Sequence, residues 1–173
     1  PVDVLGDSPR EALQSRGVLA RPVVKTVRTK TKVSKLGVRK GLDLKELEAL
    51  DQKASKAVDK NPRRRLLVRE MVDIVEENRS SRLLYFGPTV QDAELTAFLL
   101  RREGIKAASL SGQTQPSTRR RLIEDFRAGR MQVLCNCEVL TTGFDAPRVT
   151  HVIVARPTFS QVLYEQMVGR GLR

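Results

Sequence analysis

The sequence predicts an α/β domain, a parallel sheet with helices on both faces, over its second half. Three observations predict it. From residue 82 onward, short apolar segments alternate with amphipathic ones, the pattern of a parallel sheet wrapped by helices. The apolar segments run nearly unbroken, as strands buried on both sides do. Glycine and proline fall where the intervening helices would stop and start.

The elements follow in order. Residues 1–42 read as a basic linker that includes an edge-strand segment, because "GVLARPVVKTVRTKTKV" alternates Val with Lys, Arg and Thr. Residues 43–81 read as a helical lead-in. Its first helix is "LDLKELEALDQKASKAVDK", with Leu44, Leu47 and Leu50 on one stripe. Asn61-Pro62 then marks a turn or a helix start, and "RRRLLVREMVDIVEENR" follows with Leu67, Met71, Ile74 and Val75 inward. In residues 82–173, "RLLYFG", "IKAASLSG", "MQVLCNC" and "VTHVIVARP" are the strands. The last is the most continuously apolar and is expected at the centre of the sheet. The helices are "VQDAELTAFLLRREG", stopped by Gly104, then "QPSTRRRLIEDFRAGR", with Pro116 in its first turn and Gly129 past its end, and finally "SQVLYEQMVGRG". "EVLTTGFDAPR" is a loop or short helix.

Composition narrows the function classes. No run of eighteen apolar residues offers a membrane span, and the start does not read as a signal peptide. Cys135 and Cys137 sit in an apolar strand, are not expected to pair with each other and read as buried thiols in a reduced, intracellular protein. No metal site is expected from them. The net charge is +12, which implies a polyanionic partner. The charge is uneven: residues 12–42 carry nine Lys and Arg and no acid. Such a segment suits either solvent or a phosphate backbone. Aromatic residues are 4% of the chain, too few for base-stacking platforms.

In a sheet of this kind ligands bind beyond the carboxyl ends of the strands. Those loops hold the candidate residues. "SLSGQTQPSTRR" offers Ser111, Gly112, Gln113 and Thr114 before a helix N-terminus, a place where phosphate binds readily. "VLTTGFDAP" offers the hydroxyls of Thr141 and Thr142, the permissive backbone of Gly143, and Asp145 as an acceptor for a ribose hydroxyl or an arginine. "QMVGRGLR" aligns Gln166, Arg170 and Arg173 on one helix face, and an arginine fork holds phosphate oxygens in pairs.

Taken together, "RLLYFGPTVQDAE", "SLSGQTQPSTRR", "VLCNCEVLTTGFDAP" and "YEQMVGRGLR" resemble motifs IV, IVa, V and VI of the second motor domain of superfamily 2 helicases, in order and spacing. The wording "GFDAP" and "GRGLR" is similar to the bacterial DEAD/DEAH-like group that includes XPB-type helicases and the motor subunits of restriction enzymes. The resemblance implies a RecA-like, three-layer fold for residues 82–173. It implies that Arg173, with Arg170 beside it, reaches the γ-phosphate of ATP from across a cleft, and that Gln166, Gly143 and Asp145 lie near the nucleotide. It implies that Thr89, Ser111, Gly112, Thr141 and Thr142 contact a nucleic-acid backbone. Thr-Thr-Gly-Phe-Asp lacks the longer spacer between Thr and Gly of DEAD-box proteins, which leaves the threonine roles open.

The chain contains no G-x-x-x-x-G-K-[ST] and no D-E-x-D/H acid pair to hold Mg²⁺. ATP and Mg²⁺ are therefore expected to be bound mainly by a first RecA-like domain that precedes these residues, and the chain reads as a piece of a longer protein. By itself it is expected not to hydrolyse ATP. DNA is expected as the track in preference to RNA. The competing reading is a basic nucleic-acid-binding module without motor activity.

Overall fold

A computed structural model describes residues 23–26, 49, 61–137, 148–158 and 161–169. The element order is α1 (Asn61–Glu77), β1 (Leu83–Phe86), α2 (Val90–Arg102), β2 (Ala107–Leu110), α3 (Pro116–Arg127), β3 (Val133–Asn136), β4 (His151–Val154) and α4 (Gln161–Val168). The strands form one parallel sheet in the order β2-β3-β1-β4.

Side-chain parity explains how the layers form. The ladders pair Leu83 with Val133 and with His151, and Ala107 with Val133, so odd-numbered residues of all four strands share one face. That face (Leu83, Tyr85, Ala107, Val133, Cys135, Ile153) packs on Leu67, Val68, Met71 and Val75 of α1 and on Ala93, Ala97 and Leu100 of α2. The even-numbered face (Leu84, Phe86, Leu110, Leu134, Val152, Val154) packs on Leu122, Ile123 and Phe126 of α3 and on Leu163 and Met167 of α4. Because successive strand residues point to opposite sides, a strand covered on both sides has to be apolar throughout. β1 and β3 are buried at every position. The result is the three-layer arrangement expected.

The expected stops are where the helices end. Gly104 and Gly129 have φ of +77° and +79°, the left-handed conformation that terminates a helix at low cost only for glycine. After α2, the amide of Ile105 donates back to the Leu100 carbonyl at 3.0 Å. Pro116 opens α3. Ile74 is partly buried where Leu67, Met71 and Val75 are fully so. Cys135 and Cys137 are buried free thiols.

Two expectations change. β4 is not central: among the described strands it lies at the edge beside β1, with His151 exposed and its other residues half-buried. Its apolar run reflects cover by helices on two faces, which a lateral neighbour does not alter. Within the expected edge strand, Val23–Thr26 have no strand conformation, and Val23 and Val24 are 98% and 71% exposed. Lys25 instead forms an exposed ion pair with Glu70 of α1 at 2.6 Å, which raises the pKa of its ammonium. Of the expected helix over 43–60, Ala49 is helical and the remainder lies outside the described residues. No described helix is long and apolar enough to cross a membrane.

Candidate functional site

Parallel strands bring their carboxyl ends to one edge, and the described loops after β1 and β2 start there. The loop after β1 is Gly87-Pro88-Thr89. The Gly87 amide donates to the Asn136 carbonyl at 2.8 Å. A Cβ on Gly87 would stand 3.2 Å from both Asp92 Oδ2 and Tyr85 Cε1, so a side chain there would press on these two groups. Thr89, half-buried, caps α2: its hydroxyl accepts the Asp92 amide at 3.0 Å. Such a cap contributes about 1 kcal/mol to helix stability.

The loop after β2 closes on itself. The Ser111 amide donates to Thr114 Oγ1 at 3.0 Å and the Gln113 amide to Ser111 Oγ at 3.3 Å. The Arg119 guanidinium, one turn into α3, donates to the carbonyls of Ser111, Gly112 and Thr114 at 3.2 to 3.3 Å. Ser111 is buried and serves the turn itself, whereas Gly112 is exposed. A Cβ at Gly112 would meet nothing within 4 Å, and its φ is not in the left-handed range. The protein's own packing therefore does not require glycine there.

Where α1 meets the start of α2 lies a buried charged group of residues. Arg64 of α1 is 6% exposed and Asp92 is 2% exposed. Arg64 Nε donates to Asp92 Oδ1 at 2.8 Å, and the Tyr85 hydroxyl donates to Asp92 Oδ2 at 2.5 Å. Burial, followed by the charge of Asp92, holds the Tyr85 phenol well above its ordinary pKa. The same two causes push the Cys135 thiol far up, which keeps it an unreactive core residue. The neighbouring Arg63 donates to the carbonyl of Ala155, directly after β4.

The end of β3 carries Asn136, fully buried. Its amide nitrogen donates to the Tyr85 carbonyl at 2.8 Å, while its Oδ1 accepts no hydrogen bond among the described residues. His151, at the opposite end of β4, has its pKa lowered by partial burial and stands away from this edge.

The structure thus brings Thr89, Ser111 and Gly112 to one edge. Gln166 is exposed on α4, with Met167 beside it buried in the core. Thr141, Thr142, Gly143, Asp145, Arg170 and Arg173 lie outside the described residues. Sequence reasoning missed Asp92, Arg64, Arg63 and Arg119. Asp92 had a local signal, the Thr-x-x-Asp spacing of a capping box, although its carboxylate is engaged by Arg64 and Tyr85. The buried arginine had none, since its partner is 28 residues away.

Comparison with known proteins agrees with this architecture. The chain is 41% identical over 96 residues to the Schizosaccharomyces pombe protein named "Putative mitochondrial ATP-dependent helicase irc3", covering 56% of this chain and 16% of that one. Among solved structures it is similar to the Mycobacterium smegmatis helicase Lhr bound to ssDNA and AMP-PNP (TM-score 0.53, 25% identity, 60% of this chain and 14% of that one). It is also similar to Saccharomyces cerevisiae Dbp5 bound to RNA and ADP BeF3 (TM-score 0.50, 30% identity, 60% and 29%). The chain spans less than a quarter of the length of the curated relatives it first matches. The family model "Helicase conserved C-terminal domain" matches residues 64–173, from the buried Arg64 to the last arginine. With its parallel sheet and helices on two faces, this chain belongs to the helicase conserved C-terminal domain family.

Proposed function

We propose that this chain is the C-terminal motor domain of an ATP-dependent helicase or translocase, and that it works with a preceding RecA-like domain of the same protein. The observation that carries the reading is the gathering of Thr89, Ser111 and Gly112 on the carboxyl edge of a sheet whose family match runs through Q-x-x-G-R-x-x-R. Thr89, Ser111, Gly112, Thr141 and Thr142 form part of the nucleic-acid track. Gly112 supports this, because an open position with ordinary φ suits the close approach of a phosphate backbone.

ATP with Mg²⁺ supplies the phosphoryl chemistry. Among the described residues no group of three or more His, Cys, Asp or Glu could hold a metal ion, and the proposal assigns Mg²⁺ and the phosphate cradle to the preceding domain. Exposed Gln166, with Gly143 and Asp145, borders the nucleotide. Arg173 and Arg170 stabilise the charge that develops on the transferred phosphoryl group, a role worth roughly 10³–10⁵ in rate where such arginines act. In the full-length parent, Arg173→Ala should lower the ATPase rate by at least ~10²-fold while nucleic-acid affinity changes little. Equal loss of both would overturn the role.

The bacterial setting rests on the motif wording, and the intracellular one on the buried thiols of Cys135 and Cys137; DNA is the preferred track. Similar structures include one bound to ssDNA and one bound to RNA. ATP hydrolysis by the full-length parent, with single-stranded DNA, duplex DNA and RNA at two salt concentrations, tests substrate and function together. Stimulation by one of them names the track. No hydrolysis with any of them would leave the basic binding module as the better account.

A further inference from the structure

The first turn of α1 touches the residue after β4 and the first turn of α2. Arg63 donates to the carbonyl of Ala155, whose own amide donates to Phe86 at the end of β1 at 2.9 Å. Arg64 enters the core and donates to Asp92. Asp92 is a junction: one carboxylate oxygen takes Arg64, the other takes Tyr85, and its backbone amide donates to the hydroxyl of Thr89. Asp92 also lies against Gly87, the residue that makes the turn.

A buried ion pair is a poor way to gain stability, since well-packed apolar residues of similar volume often serve as well or better. Its directional hydrogen bonds do fix one arrangement of the elements that carry them. Here those elements are α1, β1 and the turn that presents Thr89.

We infer that Arg64, acting through Asp92, is a positioning residue for the Thr89 contact, so that the placement of α1 sets the grip on nucleic acid. The inference rests on the proposed role of Thr89 and adds a residue to it. Arg64 touches neither nucleotide nor nucleic acid. It transmits the position of the lead-in helix to the loop that does.

The test is a double-mutant cycle in the full-length parent. ATPase activity is titrated with a single-stranded oligodeoxynucleotide and with an RNA of the same length. Arg64→Lys keeps the charge and loses the guanidinium geometry. It should raise the half-activating oligonucleotide concentration about fivefold while the KM for ATP stays within about twofold. Thr89→Val should raise the half-activating concentration similarly. The double variant should add less than about twofold to the larger single effect, because both changes remove the same contact.

Multiplying effects would overturn the inference. So would an Arg64→Lys protein with a lower melting temperature and an unchanged half-activating concentration. If Arg64→Lys does not fold, Tyr85→Phe, which removes one bond to the same carboxylate, takes its place in the cycle and must show the same non-additivity. Absence of stimulation in the unmodified parent would sink the motor reading itself. Stimulation that Arg64 does not influence would sink the positioning role alone.

Discussion

The two faces of the sheet are built on different terms. The face under α3 and α4 has an apolar centre, with Phe86, Leu110, Phe126, Leu134 and Met167 each at most 2% exposed, and the uncharged amide of Asn136 at its carboxyl end. The face under α1 and α2 has an equally dry centre in Met71, Val75, Leu83 and Leu100, but Arg64, Asp92 and the Tyr85 hydroxyl are buried at its carboxyl end. Apolar contact is non-directional and holds layers together. A hydrogen-bonded ion pair is directional and sets where a loop stands. The contrast therefore separates holding the domain together from aiming its edge.

The largest effect should come from the apolar face. Phe126→Ala removes a ring that is 2% exposed and should cost about 4 kcal/mol in urea unfolding, through lost transfer energy and a residual cavity. If it cost less than about 1 kcal/mol, α3 would not be a main element of the core, and the comparison would fail on that side.

Asp92→Ala should follow at about 3 kcal/mol, because it leaves a buried guanidinium without its carboxylate. The way to sharpen the comparison is to add Arg64→Met. If the pair serves geometry more than stability, the double variant should recover a good part of the loss, as apolar replacements of buried pairs often do. Double-variant stability below that of Asp92→Ala would mean that the pair holds the core together as well.

Tyr85→Phe should cost about 2 kcal/mol, the scale of a hydrogen bond to a charged group. It also carries a pH signature. Burial and Asp92 raise the Tyr85 pKa above 10.0 in the folded chain. A phenol that ionises only when unfolded favours unfolding as pH rises, so this contribution is full below pH 10 and declines above it. Cys135, raised from 9.0 by burial, acts with the same sign and begins earlier. Stability of the wild-type protein should fall above about pH 9, and Tyr85→Phe should flatten the part above pH 10.

What could be read from the sequence follows the same division. The apolar face and the layer order were legible because hydrophobic burial has a period: Leu67, Met71 and Val75 line one helix stripe, and β1 and β3 are apolar at nearly every position. Gly104, Gly129 and Pro116 were legible because helix ends impose local backbone demands. Strand order was not. "VTHVIVARP" reads like a central strand because helices still pack on both faces of Val152, Ile153 and Val154 at the edge, though less completely than on β1 and β3. The charged junction was not legible either. "RRRLLVRE" gives Arg64 the look of a solvated residue, and only tertiary structure brings it to Asp92. Of the candidate site, the edge bearing Thr89, Ser111 and Gly112 followed from the parallel-sheet rule. The inward use of the Ser111 hydroxyl did not, because short polar turns satisfy themselves through bonds that sequence spacing does not specify.

The smallest effects lie at the helix ends, one on each face. Gly104 ends α2 and Gly129 ends α3, with nearly equal positive φ. An alanine in that conformation costs roughly 1–2 kcal/mol. At Gly104 the new methyl would meet nothing within 4 Å, so Gly104→Ala should cost about 1 kcal/mol, the backbone strain alone. At Gly129 it would stand 2.6 Å from Arg82 Nη2. That guanidinium is held by the carbonyls of Ser80, Ser81 and Gly129 at 3.0 to 3.1 Å, so displacing it breaks bonds that tie α3 to the entry of β1. Gly129→Ala should therefore cost about 0.5 kcal/mol more than Gly104→Ala, a difference on the scale of one weakened hydrogen bond. Adding Arg82→Ala to each should remove that difference, since the obstacle would be gone. If the gap persisted, the backbone at the end of α3 would be the more strained of the two, independent of Arg82.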